Sequence, residues 1–169
     1  PRSTQGPYGT DRSLWLSRLR DGELVVPPPA SDADRVDRAV DVADAAAFDK
    51  AIRDVAAKHG RLDGLVNNAA KVTMGEIVSA TEEDWRATFA AGADAVFVGT
   101  RAALRVMIPQ GSGSIVNISS TNGRRAMAWM GAYSASKAAL IQFSKVAAME
   151  GAPYGVRVNA IAPGMVMTP

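Results

Sequence analysis

The chain has 169 residues, of which 47% are hydrophobic and 21% charged, a composition typical of one soluble globular domain. Its net charge is only +2 at pH 7, and the sequence contains no basic patch that would indicate nucleic-acid binding. It has no cysteine, which excludes disulfides, thiol nucleophiles and cysteine metal ligands and fits a reducing cytoplasm. No apolar run approaches the roughly 18 residues that a membrane span needs, so we predict a cytoplasmic protein that binds neither membrane nor nucleic acid.

Residues 1–30 differ in composition from the rest of the chain. They hold five of the nine prolines, including Pro27-Pro28-Pro29. Ser13 is placed to cap a short helix that Gly22 would end. We therefore treat residues 1–30 as an atypical segment outside the fold and residues 31–169 as the folded domain.

The first clear element is an amphipathic helix that begins at Asp44. Apolar residues between positions 48 and 56 follow a 3.6-residue period, Asp44 is a typical N-cap, and Gly60 ends the helix. His59, the only histidine, lies in the last turn, where the helix dipole favours it, so we assign it no catalytic or ligand role. With one histidine and no cysteine, we expect no protein-bound transition metal.

A short strand and a long helix follow. Leu65-Val66-Asn67 has the apolar character of a strand in a parallel sheet and leads into the turn Asn68-Ala69-Ala70. Thr81 and the acidic residues after it begin a helix that Pro109 closes, with Trp85 on its predicted buried face.

Two further strands each end in a polar turn. The run 113–118 breaks into Ser119-Ser120, and the run 156–161 ends at Pro163-Gly164. Between them lies an alanine-rich helix at about 133–150 whose apolar residues surround more than one side. A helix of this kind buries more than one face.

Tyr133 and Lys137 are four residues apart on that helix and therefore share one face. A free phenol titrates near ~10, but a cation within a few ångströms favours the phenolate, which makes proton transfer feasible near pH 7. Such pairs also occur by chance on many helices. Ser120, thirteen residues before Tyr133, adds a second polar group at a strand end.

Three motifs together resemble the short-chain dehydrogenase/reductase family. They are the strand ending Asn67-Asn68-Ala69-Ala70, Ser120 thirteen residues before Tyr133-x-x-x-Lys137, and Asn159-x-x-x-Pro163-Gly164. The resemblance runs from about residue 40 to the last residue, with Ala70 in place of a glycine. It implies an α/β fold, a Rossmann-like doubly wound parallel sheet with helices on both faces. The first strand, the Gly-rich turn and the last strand are not found, so we expect an incomplete fold in a fragment truncated at both ends.

The resemblance also implies an oxidoreductase that transfers a hydride between NAD or NADP and an alcohol or ketone. Ser120 and Tyr133 would bind the substrate oxygen, Tyr133 would exchange the proton, and Lys137 would favour the phenolate and hold the nicotinamide ribose. The other cofactor contacts that it implies are Asp41, Asn67, Asn68, Ala69, Pro163, Gly164, Val166 and Thr168. Asp41 is implied as the end of a strand. An ordinary strand-closing Asp41 and a purely structural turn at residues 67–69 remain open alternatives.

Gly92 is a departure from the family pattern. It stands where the family has an Asn that holds a water of the proton relay, and no Asn occurs between Asn68 and Asn117. Glycine cannot position a water through a side chain and costs a helix about 1 kcal/mol relative to Ala, so we expect reduced turnover. The competing hypothesis is an inactive fragment or pseudoenzyme that at most oligomerises. In the family the two long helices form the dimer interface, which implies a homo-oligomer, and the sequence gives neither the substrate nor the choice between NAD and NADP.

Overall fold

The computed structural model describes residues 39–165 and the backbone of two short segments before them. These segments, β1 (Arg18–Arg20) and β2 (Glu23–Val25), pair antiparallel, with Leu19 opposite Leu24. The helix predicted between Ser13 and Gly22 is therefore wrong at residues 18–20, because the backbone there pairs as a strand, and the rest of that segment lies outside the described residues. Val166 and Thr168 lie outside the described residues.

A three-stranded parallel sheet forms the centre of the described domain. Its strands are β3 (Gly64–Asn67), β4 (Gly113–Ile118) and β5 (Val156–Ile161), in that spatial order. Leu65 pairs with Ile115, which pairs with Val158 on the far side. Because the strands run parallel, their carboxyl ends meet at one edge of the sheet, where ligands of such folds bind.

Four α-helices occur in residues 39–165. They are α1 (Ala45–His59), α2 (Glu82–Phe89), α3 (Ala95–Gln110) and α4 (Gly131–Gly151). A π-helical turn, Ala90–Asp94, joins α2 to α3, so the predicted long helix is interrupted by five residues in this wider winding. In this described part of the chain, no helix is long and apolar enough to cross a membrane.

The ends of α1 and α2 follow the local signals in the sequence. Asp44 accepts hydrogen bonds from the N–H groups of Ala46 and Ala47, and Gly60 ends α1 with a φ of 71°. Thr81 accepts a hydrogen bond from the Asp84 N–H at the start of α2. These caps satisfy backbone donors that the helix itself leaves unpaired.

Two predictions for the long helix are wrong. Pro109 lies inside α3, which ends instead at Gly111 with a φ of 72°, because the left-handed residue turns the chain and a proline in the last turn removes only one hydrogen bond. Trp85 is 47% exposed rather than buried. Its ring stacks on Phe89, one turn later in α2, with 4.8 Å between the ring centroids.

Burial alternates along the strands because successive side chains point to opposite faces of a sheet. Leu65, Ile115 and Val158 are buried on one face, whereas Val66 and Val116 are half-buried and Asn159 is exposed on the other. The core between the helices and the sheet includes Phe48, Ile52, Ala102, Met107, Ala147 and Val156. The prediction of a Rossmann-like parallel sheet with helices is confirmed in partial form, as a sheet of three strands. Helices α1, α3 and α4 all pack on the face of the sheet that carries Leu65, Ile115 and Val158.

Candidate active site

The turns after β4 and β5 are joined at the carboxyl edge of the sheet. The Ser119 N–H donates to the Ile161 carbonyl at 2.7 Å, and the Thr121 N–H donates to the Pro163 carbonyl at 2.9 Å. These two hydrogen bonds hold the segment that contains Ser120 beside the Pro-Gly turn. The structure thus brings together two regions that are more than forty residues apart in the sequence.

Lys137 is a buried ammonium at this edge. Its side chain is 2% exposed, and its Nζ donates to the Ile118 carbonyl at 2.6 Å, the one acceptor it has among the described residues. Burial lowers the pKa of Lys137 from 10.5 to about 8, because the charged form loses its hydration. The group is still mostly charged at pH 7, and its remaining N–H donors are suited to a polar ligand.

Tyr133 lies one helical turn before Lys137 near the start of α4. The Lys137 Nζ is 5.7 Å from the centroid of the half-buried Tyr133 ring. The two side chains therefore lie together on one side of the helix, which is the geometry that their spacing predicts.

Ser120 caps the short 3₁₀ helix Thr121–Gly123. Its Oγ accepts the Asn122 N–H at 3.2 Å, and its carbonyl accepts the Gly123 N–H at 3.0 Å. The hydroxyl is used as an acceptor by the protein, so its own proton is left to donate to a ligand oxygen.

Asn67 is directed into the protein rather than toward the sheet edge. Its Nδ2 donates to Asn117 Oδ1 at 2.8 Å, and the Asn117 Nδ2 donates to Ser144 Oγ at 2.9 Å. Ser144 in turn donates to the Leu140 carbonyl at 2.8 Å. This buried chain of hydrogen bonds ties β3 and β4 to α4, so the structural alternative describes Asn67 well.

Asn117 and Ser144 are not among the residues that the motifs indicate. The alternation along β4 gives the available signal, because it places Asn117 on the same buried face as Ile115. An asparagine on that face needs a polar partner, and a serine on the neighbouring helix provides it. Which serine does so depends on helix packing that a single sequence does not reveal.

The remaining predicted cofactor residues are more dispersed. Asp41 is exposed in the turn before α1, where its Oδ1 accepts the Ala43 N–H at 3.0 Å. No strand is assigned at residues 39–44, and the residues directly before 39 lie outside the described part, so the placement of Asp41 at a strand end stays a prediction. Asn68 is exposed and Ala69 half-buried just after β3. Pro163 and Gly164 lie beside Thr121, next to Ser120.

Gly92 lies in the π-helical turn at the crossing with α4. It is buried, and a Cβ built on it would lie 3.1 Å from the Ser136 Oγ. Ser136 directly precedes Lys137, so this crossing lies next to the predicted site. Gly92 permits the close approach of the two helices but presents no polar side chain to the Lys137 ammonium.

The family model described as short chain dehydrogenase matches residues 30–169. The chain belongs to this family. Over 119 residues it is 39% identical to cyclopentanol dehydrogenase of Comamonas testosteroni, covering 70% of this chain and 48% of that protein. Over 127 residues it is 39% identical to 3-oxoacyl-[acyl-carrier-protein] reductase of Synechocystis sp., covering 75% of this chain and 51% of that protein.

Solved structures of short-chain dehydrogenases match the fold over a similar range. One from Streptomyces avermitilis is 42% identical with a TM-score of 0.74, covering 78% of this chain and 48% of that chain. An NAD+-bound xylitol dehydrogenase is 32% identical with a TM-score of 0.75, covering 78% of this chain and 51% of that chain. This short-chain dehydrogenase sequence thus spans about half the length of the proteins it matches.

The described residues fit one end of a nicotinamide dinucleotide. Lys137 offers a buried ammonium with donors to spare, which suits the hydroxyls of a ribose, and the Pro163–Gly164 turn borders the same edge. A pyrophosphate, in contrast, binds a Gly-rich turn at a helix N-terminus. None of the helices in residues 39–165 begins at such a turn after a strand of the sheet.

Proposed function

We propose that this chain carries the proton-transfer and nicotinamide-binding part of an oxidoreductase that interconverts an alcohol and a ketone with NAD or NADP. The observation that carries the proposal is the buried Lys137 ammonium, held by the Ile118 carbonyl one helical turn from Tyr133. A buried cation with one protein acceptor is costly unless a ligand or reaction uses it.

In the direction of ketone reduction, Tyr133 donates its phenolic proton to the substrate oxygen as the carbonyl carbon accepts the hydride. In alcohol oxidation, the phenolate takes the hydroxyl proton as the hydride leaves the carbon. Ser120 donates its free hydroxyl proton to the same oxygen and orients it. A nicotinamide, when bound at this edge, would supply the hydride chemistry.

Lys137 has two tasks in this proposal. Its positive charge stabilises the phenolate of Tyr133 after proton transfer, and its remaining N–H groups donate to the hydroxyls of the nicotinamide ribose. Both tasks require the protonated amine. Because burial brings the pKa of Lys137 to about 8, the protein loses this charge at only mildly alkaline pH.

The substrate that the site favours has an apolar body. Ile77 is 82% exposed and Trp129 60% exposed, although both lie close to the start of α4. The Gly75 N–H donates to the Trp129 carbonyl at 2.9 Å, which joins their two segments next to the start of α4. The relative named cyclopentanol dehydrogenase supports an alicyclic alcohol as the first substrate to test.

The proposed assembly is a homo-oligomer formed through α3 and α4. Apolar side chains of the two helices line an open groove between them, among them Phe97, Leu104, Phe143 and Val146. Phe97 and Val146 are both exposed in the single chain. A second copy of the same helix pair would bury this apolar surface.

Replacement of Tyr133 by Phe tests the proposal, because it removes the reacting hydroxyl and leaves the ring. We expect turnover of cyclopentanol with NAD or NADP to fall about 10²- to 10⁴-fold, the contribution typical of a positioned acid or base. The fold should persist, as judged by circular dichroism. Turnover that survives the substitution would refute the role of Tyr133.

The second candidate, an inactive fragment, is favoured by Gly92 and by the lack, in residues 39–165, of a Gly-rich turn that leads from a strand of the sheet into a helix. A folded chain that shows neither turnover nor nucleotide binding would support it.

A further inference from the structure

The loop after β4 is pressed onto the backbone of α4 at Lys137. A Cβ built on Gly123 would lie 2.8 Å from both the carbonyl carbon and the carbonyl oxygen of Lys137, and 3.0 Å from the Ala138 nitrogen. Carbon atoms in contact normally lie about 3.5–4.0 Å apart. The atoms in the way belong to a helix backbone and cannot rotate aside. Glycine is therefore required here by space.

Ser119 holds the same point of α4 through a hydrogen bond. Its buried Oγ donates to the Lys137 carbonyl at 2.9 Å. The side chain of Lys137 holds Ile118, the residue before Ser119, because Nζ donates to the Ile118 carbonyl at 2.6 Å. The segment 118–123 is thus held both by the backbone carbonyl of Lys137 and by its side-chain ammonium.

Ser120 lies between these attachment points. Its carbonyl accepts the Gly123 N–H at 3.0 Å, and the next residue, Thr121, is bound to the Pro163 carbonyl at 2.9 Å. Tyr133 lies one turn earlier on the same helix. The spacing of Ser120 from Tyr133 therefore depends on how closely the loop approaches the Lys137 backbone.

We propose that Ser119 and Gly123 are positioning residues that set the distance between the Ser120 hydroxyl and Tyr133. The proposal rests on the proposed function, since the distance matters only if both groups bind one substrate oxygen. A methyl group on Gly123 would push the loop away from α4 by about 1 Å, and a displacement of this size at reacting groups lowers the rate about 100-fold.

The test compares Gly123→Ala and Ser119→Ala with the matched control Gly131→Ala. Gly131 is also close to Tyr133, but a Cβ there would lie 3.6 Å from Ile77 Cγ1, an ordinary contact. Three quantities are measured on the full chain: kcat and KM for cyclopentanol, the melting temperature, and amide hydrogen exchange in peptides covering residues 119–125 and α4.

We expect Gly123→Ala to lower kcat about 10- to 100-fold with KM nearly unchanged, and Ser119→Ala to lower it several-fold. Amides of residues 119–125 should exchange faster in both variants while α4 stays protected. A kcat and local exchange equal to those of Gly131→Ala would overturn the proposal. If Gly123→Ala does not fold, the same comparison with Ser119→Ala decides.

The exchange data separate this proposal from the proposed function. If the wild-type chain shows no turnover, the proposed oxidoreductase activity fails, but faster local exchange in Gly123→Ala still supports the attachment of the loop. If the chain turns over substrate and neither variant changes kcat or local exchange, the activity stands and the positioning role is wrong.

Discussion

The two ends of the proposed cofactor site differ in how they are held. At the nicotinamide end, β4, α4 and the turn after β5 fix each other through the contacts of Ser119, Thr121 and Lys137. At the adenine end, Asp41 and Asn68 are both exposed, and the Asp41 carboxylate accepts the N–H of Ala43 only two residues away. The contrast supports the proposed function, in which the described domain holds the nicotinamide end of a cofactor more firmly than the adenine end.

Removal of the Lys137 charge should produce the largest effect. Lys137→Met keeps the length of the buried stem but removes the ammonium that the nicotinamide end requires. We expect turnover to fall at least about 100-fold, within the range typical of an acid–base group, and nucleotide binding to be lost. Steady-state kinetics and nucleotide titration measure both.

Lys145→Met is the matched control, because Lys145 is exposed two turns further along α4. It should leave kcat and nucleotide affinity unchanged. Equal losses in the two variants would show that the buried ammonium has no special role.

The buried ammonium also predicts a pH dependence of stability. With a pKa of about 8 in the folded chain and 10.5 in the unfolded chain, Lys137 binds more protons when unfolded between these two values. The free energy of unfolding should therefore rise with pH across this interval, by at most about 3 kcal/mol. Urea denaturation of the wild type and of Lys137→Met at pH 7.5 and pH 10 isolates the contribution of Lys137 to this pH dependence. The same change in the free energy of unfolding in both proteins would contradict the prediction.

A smaller loss is expected from crowding the place where α3 crosses β3 and α1. A Cβ on Gly99 would lie 2.5 Å from Asn67 Oδ1 and 2.9 Å from Phe48 Cε1, where α3 crosses β3 and α1. Gly99→Ala should destabilise the chain by about 1–3 kcal/mol, as overpacked cores do. Thermal unfolding measures the shift, and an unchanged melting temperature would show that this packing is looser than the structure indicates.

The smallest effect is expected at Asp41. Asp41→Asn retains an oxygen that can accept the Ala43 N–H and removes only the charge. Affinity for NADH should change less than about twofold, since the Asp41 carboxylate is exposed to solvent, which screens its charge. A tenfold loss of affinity would show that the adenine end is held after all and would remove the contrast between the two ends.

Local signals in the sequence predicted much of this architecture. Asp44 and Gly60 bound α1 because a side-chain cap and a left-handed glycine act within a few residues. The buried strands follow from short apolar runs, and the shared face of Tyr133 and Lys137 follows from helical spacing.

The features that were not predicted depend on packing between distant segments. The π-helical turn at Ala90–Asp94 accompanies the close crossing at Gly92, which is a tertiary contact with Ser136. Trp85 has the spacing of a core residue but is exposed and stacks on Phe89. The hydrogen bonds of Asn117 and Ser119 to α4 join residues 27 and 18 positions apart.

The most direct test of the account is a titration of the purified chain with NADH, NADPH and reduced nicotinamide mononucleotide, followed by the fluorescence of the nicotinamide. If the site holds mainly the nicotinamide end, all three should bind with dissociation constants within about tenfold of one another, a spread of about 1.4 kcal/mol. Lys137→Met should abolish all three signals. Tight binding of NADH or NADPH with none of the mononucleotide, or no binding by a folded chain, would contradict the account.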